Sequence, residues 1–143
     1  MRLFTHPKLR ITVEEINNIP YIKEVWRGVF NPEVFRDLID TSLSIYAEEI
    51  KKHKVTGQSK FLLFADVTEL EIIRAEEINW LESDINPQYE QLGFTHQAVI
   101  APATKVASNK VEEYESDDDE AAFVTKVFKN HKEGLKWFIH LNQ

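Results

Sequence analysis

The segment "FLLFADVTELE" (residues 61–71) constrains the fold more than any other part of the chain. Its first five residues, Phe61 to Ala65, form a nearly continuous apolar run, which is typical of a central strand covered on both faces. Asp66 and Thr68 follow at the carboxyl end of that strand. Open α/β sheets place their ligand sites at such ends, although Asp and Thr also cap backbone N–H groups where turns begin. The segment therefore predicts an α/β sheet, with either a site or a local turn at Asp66.

The pattern before this strand predicts a hairpin and then a helix. We expect residues 1–9 to form a loose lead-in, whereas residues 10–14 and 19–30 are rich in strand-forming side chains. The Asn17-Asn18 pair supplies the turn between the two strands. "NPEVF" (residues 31–35) starts a helix, because its asparagine is a good N-cap and proline is favoured at the first helical position.

The pattern after the central strand predicts alternating helices and strands. A helix begins near Arg74, becomes irregular at Pro87 and ends at Gly93. A strand, an acidic and partly helical segment, a further strand and a closing helix follow, over residues 94–102, 108–120, 121–130 and 131–142. This order predicts a single α/β domain over residues 1–143, with a mixed sheet of about four to five strands packed by about four helices.

The charge balance and composition exclude several classes of protein. Lys and Arg total 17 against 24 Asp and Glu, a formal net charge of −7. Such a surface repels the nucleic-acid backbone and anionic lipids, so we expect neither as a partner. No apolar run approaches the ~20 residues of a membrane span, the first residues lack the apolar core of a signal peptide, and there is no cysteine. These features predict a cytoplasmic protein without disulfides.

The sequence shows none of the common catalytic or cofactor-binding patterns. It has four glycines, and these form neither a nucleophile elbow nor a phosphate-binding loop. The five histidines include no pair at metal-ligand spacing. The acidic run of residues 117–120 lacks the spaced ligands and the turn glycine of a calcium loop. We therefore predict a protein that is not an enzyme and that holds no cofactor or metal.

Five short motifs mark packing positions along nearly the whole chain: "VWRGVF", "FLLFADV", "AEEINWL", "LGFTHQAVIAP" and "VFKNHKEGLKWF". Together with the order of elements, they resemble the SpoIIAA-like family. That family is related to the STAS domain of bacterial anti-sigma-factor antagonists and anion transporters, and to the CRAL-TRIO lipid-transfer fold. The resemblance implies a single STAS-like domain with a regulatory role.

The chain departs from this family at the residue that makes its switch. STAS antagonists are controlled by phosphorylation of a serine, in an Asp-Ser-Ser-Gly motif at the start of the helix after the central strand. Aligning Asp66 with the strand-end aspartate places Arg74, Ala75, Glu76 and Glu77 opposite that motif, so the resemblance implies no kinase switch here. Glu76 is then either a permanent mimic of phosphoserine, as a hypothesis, or an ordinary helix former in the first turn.

Two functions stay open at this point. The first is a non-catalytic regulatory binding module that contacts an unknown protein partner, with the contact residues Asp66, Thr68, Glu69, Arg74, Glu76 and Glu77. The alternative is a carrier or sensor of a small apolar, lipid-like ligand, with a pocket lined by Trp26, Phe64, Trp80 and Trp137. The sequence leaves the oligomeric state open.

Overall fold

The computed structural model describes residues 1–29, 31–55, 60–71, 73–102 and 105–142. These residues form a six-stranded sheet with strand order β1-β2-β3-β4-β5-β6. The strands are β1 (Arg2–His6), β2 (Leu9–Ile16), β3 (Ile19–Gly28), β4 (Phe61–Leu70), β5 (Phe94–Ile100) and β6 (Val124–Phe128). The helices are α1 (Pro32–Val55), α2 (Ala75–Trp80), α3 (Asn86–Leu92), α4 (Lys105–Glu112) and α5 (His131–Leu141), with a π-helical segment (Leu81–Ile85) between α2 and α3. The predicted α/β class is confirmed, with a slightly larger sheet than expected.

The additional strand is β1. The sequence predicts a loose lead-in for these residues, and that prediction was wrong. β1 pairs antiparallel with β2, with Thr5 opposite Arg10 and His6 opposite Leu9. A strand of five residues at the edge of a sheet has little apolar pattern of its own, because its neighbour and not its side chains stabilises it.

The hairpin between β2 and β3 is confirmed, and so is its turn. Ile16 lies opposite Ile19, so the loop has two residues, Asn17 and Asn18. Both have a positive φ, 48° and 64°. A two-residue loop with this backbone is favoured in hairpins because its twist matches that of the strands, and asparagine tolerates it better than most residues.

β4 is the central strand that the sequence predicts. It lies between β3 and β5 and runs parallel to both, and β5 is in turn parallel to β6. Its residues Phe61 to Asp66 are all buried. The near-absence of polar residues follows from this position, because each face of the strand packs against a helical layer.

The helices lie on the two faces of the sheet in unequal numbers. Helices α1 to α4 cover one face and share the larger apolar core, which includes Trp26, Tyr46 and Phe94. α5 covers the opposite face, where Phe138 packs with Phe64 in a smaller core. Alternate residues of β4 therefore belong to different cores, since successive side chains of a strand point to opposite faces.

The helical stretch from α2 to α3 shows the irregularity expected from Pro87. The π-helical segment comes just before this proline, which occupies the first turn of α3. Proline has no N–H and crowds the carbonyl four residues earlier, and a wider turn relieves both problems. α3 ends at Gly93, whose φ of 110° lies in the region that favours glycine, as predicted.

Candidate functional site

The carboxyl end of β4 is shaped by an irregularity in the sheet. Val25 lies opposite Asp66, but the next paired residues are Arg27 and Glu69, so β4 has one residue more than β3 between these pairs. This is the geometry of a β-bulge, which bends a strand and redirects its side chains. Asp66 stabilises it, since its Oδ1 accepts hydrogen bonds from the backbone N of Thr68 at 2.9 Å and from the Thr68 hydroxyl at 2.7 Å.

The other carboxylate oxygen of Asp66 contacts a residue far away in the sequence. Nε2 of His131 lies 2.7 Å from Oδ2 of Asp66. His131 is the first residue of α5, which is capped by Asn130 through a hydrogen bond from the backbone N of Glu133 at 3.0 Å. Its ring also packs edge-on against Phe64, with 5.2 Å between centroids. We call Asp66, Thr68 and His131 the Asp66 cluster.

The electrostatics of the Asp66 cluster keep the carboxylate charged. Burial alone would raise the pKa of Asp66, but the hydrogen bonds from Thr68 and His131 outweigh it, so the pKa lies below its ordinary value. An ionised Asp66 makes Nε2 of His131 the donor, which leaves Nδ1 for a second contact. The His131 side chain is 43% exposed. The cluster can therefore fix an imidazole and present it to solvent as a hydrogen-bonding group.

The remaining predicted contact residues divide into exposed and buried ones. Arg74 and Glu76 are exposed at the start of α2, and Glu69 is exposed beside Arg27, with 2.7 Å between the ion-paired atoms. Glu77 is buried instead, because it faces α1.

Glu77 is held there by a short chain of contacts. Its Oε2 lies 3.3 Å from Nε of Arg36, and the Arg36 guanidinium stacks over Trp80 at 4.9 Å from the ring centroid. Phe35 packs against the same ring. Glu77 therefore anchors α2 to α1.

The structure thus brings Asp66 and Thr68 together, adds His131, and places Glu77 on the other face of the sheet. Residue 72, within the predicted contact segment, lies outside the described residues. Sequence analysis missed His131. A usable signal existed, because it follows β6 directly and the carboxyl ends of parallel strands meet at one edge of a sheet.

The four aromatic residues of the predicted ligand pocket do not meet. Trp26 and Trp80 pack on the face covered by α1 to α4, whereas Phe64 and Trp137 pack on the face covered by α5. The sheet separates the two pairs, because successive side chains of a strand point to opposite faces. Phe64 points to the α5 side, whereas Trp26 points to the side covered by α1 to α4. No single cavity can have all four as its lining.

A small cavity does exist beneath the first and second helices. Its volume is about 50 Å³, and its lining includes Trp26, Ala65, Tyr89, Gln97 and Tyr114. Pockets for small ligands usually measure ~300 Å³ or more. The cavity is therefore too small for a lipid-like ligand unless the surrounding helices separate.

The core beside this cavity contains a charged residue that the sequence analysis did not single out. Glu24 is 2% exposed. Its Oε1 accepts from Nε1 of Trp26 at 2.9 Å, and its Oε2 accepts from the hydroxyl of Tyr46. Burial raises the pKa of Glu24, and the hydrogen bonds from Tyr46 and Trp26 counteract only part of this effect. We call Glu24, Trp26 and Tyr46 the buried polar cluster.

The described residues give two further findings about possible sites. Nowhere in the described ranges do three His, Asp or Glu side chains converge as they would around a metal ion. The described helices also include none with the length and apolarity that crossing a membrane requires.

The mixed sheet and its strand order define an α/β protein, and its fold is SpoIIAA-like. A solved structure from Shewanella loihica PV-4, an uncharacterised protein of the DUF3478 family with a SpoIIAA-like fold, is similar to this chain. The two share 17% sequence identity with a TM-score of 0.57, over 91% of this chain and 93% of the other. No protein-family model matches the sequence, and neither does any curated protein. The resemblance predicted from the sequence is thus confirmed for the fold.

Proposed function

We propose that this protein is a non-catalytic regulatory binding module, and that it contacts a protein partner through the exposed charged residues around the carboxyl end of β4. We call Glu69, Arg74 and Glu76 the strand-end surface. The proposal also keeps the cytoplasmic location expected from the sequence.

One observation carries this proposal: residues 66–77 contain both side chains that are fixed by hydrogen bonds or ion pairs and side chains that are exposed to solvent. Asp66 and Thr68 lock the bulge, and Glu77 ties α2 to Arg36. Between these anchors the strand-end surface is exposed. Binding residues are commonly carried by loops that a rigid scaffold positions, because a fixed loop loses little conformational entropy on association. The Asp66 cluster contributes the same kind of support from α5.

A carrier of an apolar ligand is less well supported by the geometry. The cavity under α1 and α2 measures about 50 Å³, and the predicted lining residues lie on two faces of the sheet. A wider groove, of about 510 Å³, lies at the opposite end of the sheet and includes polar residues such as Lys60, Thr95 and His96.

Site-specific photocrosslinking in the native host cells tests the proposal. A photoreactive amino acid replaces Glu76 in one variant and Glu15 in a control variant. Glu15 is also exposed, but it lies next to the β2–β3 turn, at the far end of the sheet. We expect a discrete crosslinked species from position 76, none of that mass from position 15, and loss of the species when Arg74→Glu is added.

The outcomes separate clearly. Identical crosslinks from both positions, or none from position 76, would contradict a contact at the strand-end surface. A crosslink that survives Arg74→Glu would show that this arginine is not part of the contact. Replacing Glu76 with serine or alanine in a binding assay with the captured partner then tests the phosphoserine-mimic hypothesis, which requires weaker binding in both variants.

A further inference from the structure

Half of one face of the sheet is left without a helix among the described residues. α5 packs on β4, β5 and β6, and its core extends to Tyr21 at the start of β3. The part of β1 to β3 beyond Tyr21, towards Arg27, is not covered by α5. Arg10 lies opposite Val25, Val25 lies opposite Asp66, and Asp66 contacts His131 of α5, so these side chains share the α5 side. We call this region the open sheet face; it comprises Thr5, Arg10, Thr12, Lys23, Val25 and Arg27.

The open sheet face is basic although the protein is acidic. The chain has a formal net charge of −7, yet Arg10 lies diagonally across from both Lys23 and Arg27 on the neighbouring strand. Arg10 and Arg27 are exposed and Lys23 is half-buried. Diagonal neighbours in a sheet are about 7–8 Å apart, so three cations lie close together.

The acidic residues are concentrated on the opposite side. Helices α1, α2 and α3 and the segment of residues 112–120 carry most of the Asp and Glu of the chain, and these helices cover the other face of the sheet. Within the described ranges, Arg10 and Lys23 have no carboxylate within ion-pairing distance, whereas Arg27 pairs with Glu69 at 2.7 Å. Most carboxylates thus lie on the other side of the sheet, although Glu14, opposite Tyr21, borders Lys23 on the open side. The excess of cations around Arg10 attracts anionic groups.

The shape of this region suits a peptide segment. A groove of about 330 Å³ at the β1–β2 end includes Thr5, Arg10, Val25 and Arg27 in its lining. The two guanidinium groups can each hold a carboxylate through paired hydrogen bonds, a geometry that arginine favours. Val25 is 9% exposed and provides an apolar floor between them.

We propose that the open sheet face binds an acidic segment of a partner protein, whose carboxylates pair with Arg10, Lys23 and Arg27. Glu69 holds Arg27 as a partner carboxylate would, so it acts as an internal competitor. A short segment is favoured over a nucleic acid or a membrane because the net charge of −7 repels extended polyanions. This inference shares only Glu69 with the strand-end surface, since Arg74 and Glu76 take no part in it.

Binding of a defined peptide to the full-length protein tests the proposal. The probe is a fluorescein-labelled peptide of about 12 residues made of glutamate, aspartate and valine, and its counterpart with glutamine and asparagine is the neutral control. Fluorescence anisotropy is measured at about 0.15 M salt, where weak long-range attraction is screened. The variant Arg10→Glu/Lys23→Glu is compared with Lys51→Glu/Lys54→Glu, which makes the same change of net charge on α1.

We expect the acidic peptide to bind and the neutral one not to bind. Arg10→Glu/Lys23→Glu should weaken the affinity by about tenfold or more, because one partner of each charged pair is reversed. Lys51→Glu/Lys54→Glu should change it by less than about threefold, since these residues lie on the other side of the sheet. Glu69→Gln should strengthen binding by about threefold by releasing Arg27. Amide chemical shifts should change along β2 and β3.

Three results would overturn the proposal. The first is equal peptide affinity of the two double variants, both shown to be folded by circular dichroism. The second is a set of shift changes confined to elements other than β1 to β3. The third is binding of phosphatidylserine vesicles, lost in Arg10→Glu/Lys23→Glu, without binding of the peptide, because the partner of this face would then be a lipid surface.

Discussion

Asp66 connects three parts of the molecule through a single carboxylate. One oxygen closes the bulge with Thr68, and the other fixes His131 at the start of α5. Replacing Asp66 with asparagine keeps the size of the side chain but removes the charge, and one amide oxygen cannot accept all of these hydrogen bonds. We expect Asp66→Asn to lower the free energy of unfolding by about 1–3 kcal/mol, measured by urea denaturation.

The pH dependence gives this prediction a second readout. The pKa of Asp66 is lowered in the folded protein, so its stabilising effect is present above the ordinary value and is lost as the pH falls through the folded value. The wild-type protein should therefore lose more stability on acidification than Asp66→Asn does. Asp37→Asn, at an exposed position of α1, is the control and should match the wild type. A similar effect of both variants would contradict the anchoring role of Asp66.

Glu24 has the opposite linkage, because burial raises its pKa above 4.5. Its contribution to stability is full below the pKa of the unfolded chain and is lost as the pH rises through the folded pKa. The stability of the wild type relative to Glu24→Gln should therefore decrease as the pH rises above the ordinary pKa of a glutamate. Urea denaturation at each pH measures this difference. Glu15→Gln, at an exposed position, should show no such trend. A constant difference for Glu24→Gln would contradict the raised pKa.

At the scale of elements, the β2–β3 hairpin depends on a turn whose residues are strained. Asn18 has a φ of 64°, a conformation that glycine adopts freely and alanine does not. We expect Asn18→Gly to raise the free energy of unfolding by about 0.5 kcal/mol, and Asn18→Ala to lower it by about 1 kcal/mol. Thermal and urea unfolding of the two variants measure this. If both substitutions shift stability in the same direction, the turn does not have this conformation.

The elements that could be predicted from the sequence are those specified by local chemistry. The Asn17-Asn18 turn, the N-cap of α1, where the backbone N of Val34 donates to Asn31 at 2.9 Å, and the end of α3 at Gly93 all follow from a few adjacent residues. β4 was recognisable because a short continuous apolar run that ends in polar residues is typical of a fully buried strand.

The features that could not be predicted depend on long-range packing. His131 meets Asp66 across 65 positions of the chain, and this requires β4, β5 and β6 to be adjacent and parallel. Glu77 resembles its exposed neighbour Glu76 in sequence, but the rotation of α2 against α1 buries one and exposes the other. Glu24 fits the alternation of side chains expected for a strand, so the sequence does not mark it as unusual. Only the packing of α1 on that face of the sheet shows that its side chain points into the core.

At the scale of the whole molecule, the separation of charge across the sheet predicts opposite effects for two substitutions that change net charge equally. Arg10→Glu places an acid between Lys23 and Arg27 on the open sheet face, so it relieves repulsion and gains attraction. Lys51→Glu places an acid three residues from Glu48 on the exposed side of helix α1, where the two carboxylates repel each other. We expect Arg10→Glu to raise and Lys51→Glu to lower the free energy of unfolding, each by about 0.3–0.5 kcal/mol at low salt.

Salt distinguishes this electrostatic origin from a change in packing. Both differences should shrink as sodium chloride is raised from about 0.01 M to about 1 M, because the screening length falls from about 30 Å to about 3 Å. Urea denaturation at each salt concentration measures them. Equal destabilisation by both variants would indicate that net charge alone matters and that the open sheet face is not a distinct basic region. Persistence of the differences at high salt would assign them to packing, since buried apolar contacts are not screened.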